Sequence, residues 1–246
     1  RDASDAQAVE ALDVCLSLSD DLLRKYASGG EASFLSTLGR AVDHDGPGSM
    51  PGLSLVVWPE TAVPYALRGS SSFAFNYRFR LFEMAKRFKT PFLVGSIDFG
   101  ESLPGGSYEI FNAALLVNSA GNVVDRYIKS HIVPFGEFVP LGDTFPKLNE
   151  WVGMGRNLTP GGRFNPIEAA PGVKAGVNIC YEDVFPYISR SHSRNGANLL
   201  LVITNDAWYP VSNEPDQHFA NSIFRAVENR LRSEEHTSEL QSPNTI

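Results

Sequence analysis

Val173-Lys174-Ala175-Gly176-Val177-Asn178-Ile179-Cys180-Tyr181-Glu182-Asp183 is the stretch on which the fold turns. Val173 to Ile179 is mostly apolar, as a strand covered on both faces must be. It gives way at once to a thiol and two acids, which places Cys180 where a buried strand leaves its sheet. On either side, Leu53 to Trp58, Phe92 to Ile97, Phe111 to Val117, Val123 to Tyr127 and Leu199 to Thr204 have the same short apolar character. Ser119 to Asn122 separates two of these runs with turn residues, the mark of a hairpin. Helical spacing recurs between the runs. Val9, Leu12, Leu16, Leu22, Leu23 and Tyr26 form one stripe, with Ser4 and Gln7 as a capping box and Gly29 and Gly30 as its end. Phe75, Phe79 and Phe82 form a second, and Phe219, Ile223, Val227 and Leu231 a third; both are expected to face the core. Strands interleaved with helices predict a layered α/β (α+β) domain. Pro140 to Pro171, rich in Gly and Pro with isolated Trp151, Met154 and Leu158, is expected to be a long loop.

Composition narrows the function. The 246 residues carry 21 basic and 28 acidic side chains for a net charge of -7, with 43% hydrophobic content. One sizeable core is within reach, and no basic field invites nucleic acid. No apolar run approaches the roughly 20 residues that span a bilayer. Cys15 and Cys180 are too few for a disulfide framework, and neither has metal-ligand spacing. His44, His131, His192, His218 and His236 lack paired spacing, so each reads as a solvated or core histidine and no metal site is expected.

Two other strand ends carry groups complementary to the thiol of Cys180. Glu60 follows Leu53 to Trp58, and Lys129 follows Val123 to Tyr127. Sites in open sheets gather at the carboxyl ends of strands. A cysteine nucleophile needs a base, and its tetrahedral adduct needs positive charge or N–H donors at the oxyanion. Spacing alone leaves a plainer reading open, in which Glu60 and Lys129 are unrelated surface charges and Cys180 is packing.

The words around these residues decide between the readings. Val57-Trp58-Pro59-Glu60-Thr61-Ala62-Val63-Pro64, Tyr127-Ile128-Lys129-Ser130-His131 and Asn178-Ile179-Cys180-Tyr181-Glu182 resemble, in order, the three signature segments of the nitrilase, or carbon-nitrogen hydrolase, superfamily. The resemblance implies a nitrilase-like αββα sandwich, with Glu60 as general base, Cys180 as nucleophile and Lys129 as stabiliser of the tetrahedral intermediate. Val133-Pro134-Phe135-Gly136-Glu137-Phe138-Val139-Pro140, Cys180-Tyr181-Glu182-Asp183, Asn205-Asp206-Ala207-Trp208 and Arg225-Ala226-Val227-Glu228 are similar, more narrowly, to the apolipoprotein N-acyltransferase family. That likeness implies a second carboxylate at Glu137 orienting Lys129, and an oxyanion donor in the backbone N–H of Tyr181. It also implies a pocket shaped by Asn112, Glu182 and Trp208. No cofactor is implied. The partners would be a phospholipid acyl donor and an apolipoprotein acceptor, at the periplasmic face of a bacterial inner membrane. Rival readings with the same triad are a soluble amidase or nitrilase and a catalytically silent module.

The family pattern also implies a chain truncated at both ends. It expects membrane helices and a first strand before Arg1, and further strands at the other end, so the isolated chain is expected to be inactive. Residues 1–231 form the expected catalytic domain. From Arg232 the sequence resembles an in-frame translation of a sequencing adapter, and residues 232–246 are expected to be disordered.

Overall fold

A computed structural model describes residues 3–27, 55–63, 65–68, 72–102, 108–142, 144–152, 157–205 and 213–237. Helix α1 (Ala3–Ala27) precedes strand β1 (Val56–Val57), and helix α2 (Ser72–Phe88) leads into β2 (Phe92–Ser102), β3 (Tyr108–Val117) and β4 (Val123–Ile128). After α3 (Pro146–Val152) come β5 (Ile167–Ala170) and β6 (Val173–Ile179), then a 3-10 turn over Cys180–Val184. The described chain ends with α4 (Pro186–Arg194), β7 (Leu199–Thr204), α5 (Glu214–Asn229) and β8 (Arg232–Thr237).

Two four-stranded sheets result, ordered β1-β2-β3-β4 and β5-β6-β7-β8. Val57, Leu93, Ala114, Leu116 and Tyr127 of the first meet Ile167, Ala175, Val177, Ile179, Leu201 and Ile203 of the second in one buried cluster. On the outer face of the first sheet, Leu12, Cys15, Leu16 and Leu23 of α1 and Tyr77, Leu81 and Ala85 of α2 cover Val56, Phe92, Val94 and Leu115. The indole N–H of Trp58 donates to Ser19 Oγ at 3.0 Å, tying α1 to the segment after β1. On the outer face of the second sheet, Gly176 of β6 sits so close to α4 that a Cβ there would lie 2.6 Å from His192 Cβ. The expected αββα layering is the observed one. β6 and β7 run over the residues that the apolar runs mark, and β6 to β8 are parallel neighbours. The β3–β4 hairpin closes with Gly121 at φ 72°, a left-handed conformation suited to glycine.

Four local expectations fail. In α2 the buried face is Tyr77, Leu81 and Ala85, while Phe75 and Phe79 are exposed, Phe79 by 57%. The helix is apolar on two sides, and Phe82 alone of the expected stripe is partly buried against the core. In α5, Phe219, Ile223 and Val227 are exposed, Val227 by 70%, and the buried stripe is His218, Ser222 and Arg225. That polar stripe meets hydrogen-bonding partners in the Cys180–Val184 turn, described below. The expected loop from Pro140 to Pro171 contains α3 and β5; Glu168 is exposed between buried Ile167 and Ala169, an edge-strand pattern four residues long. The expected disorder from Arg232 is replaced by β8 over Arg232–Thr237, registered from Leu199↔Arg232 to Thr204↔Thr237. A ladder is made of backbone hydrogen bonds, so a place beside β7 is open to a sequence without apolar alternation. Residues 238–246 lie outside the described residues.

Candidate active site

β6 is buried at every residue but Lys174, and the chain leaves it on Cys180 at φ 52°. A non-glycine residue in the left-handed region costs about 1–2 kcal/mol, and here the turn lifts the thiol out of the strand instead of burying it. Cys180 is half-buried, unlike Cys15, whose burial against α2 pushes its thiol up to about 12.

Glu60 lies in the segment leaving β1, which passes over Gly95 of β2. A Cβ at Gly95 would stand 2.2 Å from Pro59 O and 2.6 Å from Glu60 Cα, so the close approach requires glycine. Trp58 N–H donates to Leu93 O at 2.8 Å and Val63 N–H to Gly95 O at 3.0 Å, pinning the segment on both sides of the acid. Lys129 follows β4, its N–H donating to Asn112 O at 2.9 Å and its carbonyl accepting from Gly161 N at 2.8 Å. Glu137 is carried by a tight loop in which its own Oε2 accepts from Val133 N at 2.8 Å.

These three elements converge. Lys129 Nζ lies 2.9 Å from Glu137 Oε1 and 3.5 Å from Glu60 Oε1, with the lysine 1% exposed. Asn112 Nδ2 donates to both carboxylates, at 2.7 Å to Glu60 and 2.9 Å to Glu137. Asn205 N–H, just past β7, donates to Glu60 Oε2 at 3.2 Å. Burial pulls the pKa of Lys129 down, but the charges of Glu60, Cys180 and Glu137 outweigh it and hold the ammonium protonated. Acid and amine, 69 positions apart along the chain, meet here, and the contacts of Glu182 join the segment of Lys129 to the turn of Cys180, 51 positions further on.

Glu182 braces this site from behind. It is fully buried, and its carboxylate accepts from Ser130 N at 2.6 Å, His131 N at 3.1 Å, Ile179 N at 2.9 Å and the Tyr127 hydroxyl at 2.9 Å. One side chain thus ties the turn bearing Cys180 to the segment bearing Lys129. Burial raises its pKa to about 7, against those hydrogen bonds and the charge of Lys129. Tyr181 is exposed, its ring edge-on to His218 with centroids 5.7 Å apart. Trp208 and Met154 lie outside the described residues; Trp151 is 84% exposed, in company with exposed Phe135, Leu141 and Phe145.

Two residues of α5 to which the sequence assigns no part in the site touch the turn. His218 Nδ1 is 3.0 Å from Asp183 Oδ2, both groups being buried. Arg225 donates to the carbonyls of Asp183 at 3.0 Å and Val184 at 3.3 Å. The available signal was the polar spacing of His218, Ser222 and Arg225 on α5, which suggests a second face but cannot say which face is buried.

Among the described residues no cluster of His, Cys, Asp or Glu suited to a metal ion occurs. The arrangement is suited to nucleophilic acyl chemistry: a half-open thiol, a carboxylate to accept its proton and a fixed cation for an oxyanion.

The family model described as carbon-nitrogen hydrolase matches residues 27–231. An apolipoprotein N-acyltransferase from Geobacter metallireducens is 37% identical over 177 residues, which cover 72% of this chain and 33% of that protein. Apolipoprotein N-acyltransferase 1 from Treponema denticola is 34% identical over 206 residues, covering 74% of this chain and 37% of that one. The chain spans about a third of the length of the curated relatives it matches. Among solved structures, a carbon-nitrogen hydrolase from Helicobacter pylori superposes with a TM-score of 0.57 at 16% identity, covering 94% of this chain and 68% of that one. A Nesterenkonia amidase of the nitrilase superfamily gives 0.56 at 19% identity, with 94% and 70% covered. These superpositions bear on the fold.

Proposed function

This chain belongs to the carbon-nitrogen hydrolase family, and on that premise we propose that it is the catalytic part of an apolipoprotein N-acyltransferase. The reaction moves an acyl chain from a phospholipid to the N-terminal amine of a diacylglyceryl-cysteine lipoprotein. The observation that carries the reading is the buried ammonium of Lys129, held between Glu60 and Glu137 and tied through Glu182 to the turn of Cys180. The 37% and 34% identity to relatives of that name supports the acyltransferase within the family.

Glu60 takes the proton of Cys180, and the thiolate attacks the ester carbonyl. Lys129 and the backbone N–H of Tyr181 stabilise the oxyanion. The adduct collapses, expelling the lysophospholipid alkoxide, which recovers the proton from Glu60 and leaves a thioester on Cys180. The lipoprotein amine then attacks the thioester carbonyl, its proton passes to Glu60, and the thiolate departs as the amide forms. Glu137 and Asn112 position the lysine and the base. Trp151, Phe135, Leu141 and Phe145 are exposed apolar side chains of a kind suited to touching acyl chains.

The reading places the site at the periplasmic face of a bacterial inner membrane, anchored by segments outside this chain. No helix of the described residues is long and apolar enough to cross a membrane. The test is to incubate the full-length protein with labelled phospholipid and a diacylated lipopeptide, and separately with small amides. Label arriving on the lipopeptide through Cys180 supports the proposal. Turnover of amides with no lipid transfer makes the protein an amidase, and full transfer by a Cys180→Ala variant removes the triad from the reaction.

A further inference from the structure

α5 turns an apolar face outward and buries His218, Ser222 and Arg225 against the turn that carries the nucleophile. A helix that does so gives up the burial of Phe219, Ile223 and Val227, so the polar stripe is there for its contacts. Arg225 uses its guanidinium on the carbonyls of Asp183 and Val184 and on Glu228, which holds the helix to the turn. His218 has a different position. Its Nδ1 faces the Asp183 carboxylate at 3.0 Å, the Tyr181 ring, next in the chain to Cys180, closes over it edge-on, and the charge of the Cys180 side chain bears on the ring. The titratable groups acting on it are thus Asp183 and Cys180, both in the turn. A carboxylate, an imidazole and the nucleophile's thiol stand in series, and the first two take no part in the Glu60, Lys129 and Cys180 chemistry.

From this geometry we infer that His218, oriented by Asp183, is a further catalytic residue: a second cation on the Cys180 sulfur, besides Lys129, stabilising the thiolate. No extra proton is needed. The thiol proton still passes to Glu60, and the imidazolium keeps its own while sharing an N–H with the sulfur. When Cys180 leaves as a thiolate in the second step, the same N–H receives it. Burial disfavours the charged ring, but its hydrogen bonds to Asp183 and Cys180 and their charges push it up to about 11, in keeping with an imidazolium at neutral pH. Lys129 can then serve the oxyanion while His218 serves the sulfur.

The inference rests on Cys180 being the nucleophile, and its test involves no lipid. In the full-length protein, alkylation of Cys180 by iodoacetamide near neutral pH is followed by mass spectrometry for His218→Gln and Asp183→Asn. Thiolate, not thiol, is the reacting form, so each variant should alkylate at least about tenfold more slowly. A merely loosened fold would expose the thiol and speed the reaction. Rates equal to or above that of the unsubstituted protein overturn the inference. In protein labelled with ¹⁵N-histidine, His218 should show a doubly protonated ring at about pH 8, where an ordinary histidine is neutral. A neutral His218 overturns the inference without any variant. If lipid transfer fails while both results hold, the acyltransferase reading fails alone; if transfer succeeds and alkylation is unchanged, this inference fails alone.

Discussion

Replacing Lys129 by methionine removes one charge from a site that has a partner for it on each side. The ammonium lies 2.9 Å from Glu137 and 3.5 Å from Glu60, in a side chain 1% exposed. Methionine fills much of the volume, so the loss is chiefly electrostatic. Two buried carboxylates then share Asn112 with no cation between them, and removing one partner of a buried pair costs about 3–5 kcal/mol. At about 2–4 °C per kcal/mol for a chain of this size, thermal unfolding should move down by roughly 10 °C. The loss should depend on pH. Without the lysine one carboxylate must bind a proton to remain buried, so its folded-state pKa rises above the unfolded value. Stability from such a group is full below the unfolded pKa and lost as pH rises through the folded one. Calorimetry should therefore show the deficit of Lys129→Met largest at about pH 8 and smaller near pH 5. Adding Glu137→Gln should recover part of it. An unchanged melting temperature, or a deficit of the same size at both pH values, would refute the reasoning.

Gly95→Ala should cut activity by more than about tenfold while the protein still folds, because a Cβ 2.6 Å from Glu60 Cα must push the base off its place; normal turnover of the variant would contradict this. Glu182→Ala strands the N–H groups of Ser130, His131 and Ile179, and urea denaturation should show a loss of at least about 3 kcal/mol. His192, buried between Tyr127 and Phe164, has its pKa pulled down by burial from 6.5 to about 4. Its stabilising contribution is full above pH 6.5 and fades as pH falls towards 4, so unfolding free energy should drop by about 2 kcal/mol between pH 7 and 5. The drop should be absent from His192→Phe, and an equal drop in that variant would assign it to other groups.

Continuous apolar runs were the most legible part of the sequence. Val173–Ile179 and Leu199–Thr204 are strands over those residues because a strand buried on both faces has one reading. Helix orientation was harder to read. α2 carries Phe75 and Phe79 on one side and Tyr77, Leu81 and Ala85 on another, and only the neighbouring sheet decides between them. α5 went further and inverted the rule, since its inward face answers to hydrogen-bond acceptors in the nucleophile turn and not to a core. β5 escaped notice because four residues at an edge carry too short a pattern. Of the candidate site, Glu60, Lys129, Glu137 and Asn112 come together as the signature words imply. Glu182, expected to shape the pocket, accepts hydrogen bonds from both the Lys129 and the Cys180 segments. His218 could not be recognised by spacing, because its partners Asp183 and Cys180 are 35 and 38 positions away.

The most direct test of the account is the acyl-enzyme itself. The full-length protein is incubated with phospholipid alone, without an amine acceptor, and its Cys180 peptide is examined by mass spectrometry. The account predicts one acyl chain on Cys180, removed by hydroxylamine, with Cys15 unmodified in its buried place. The adduct should fall by at least about a hundredfold in Glu60→Gln and Lys129→Met, which lack the base and the cation. Acylation at the unsubstituted rate in both variants, or an acyl chain on any residue other than Cys180, would contradict it.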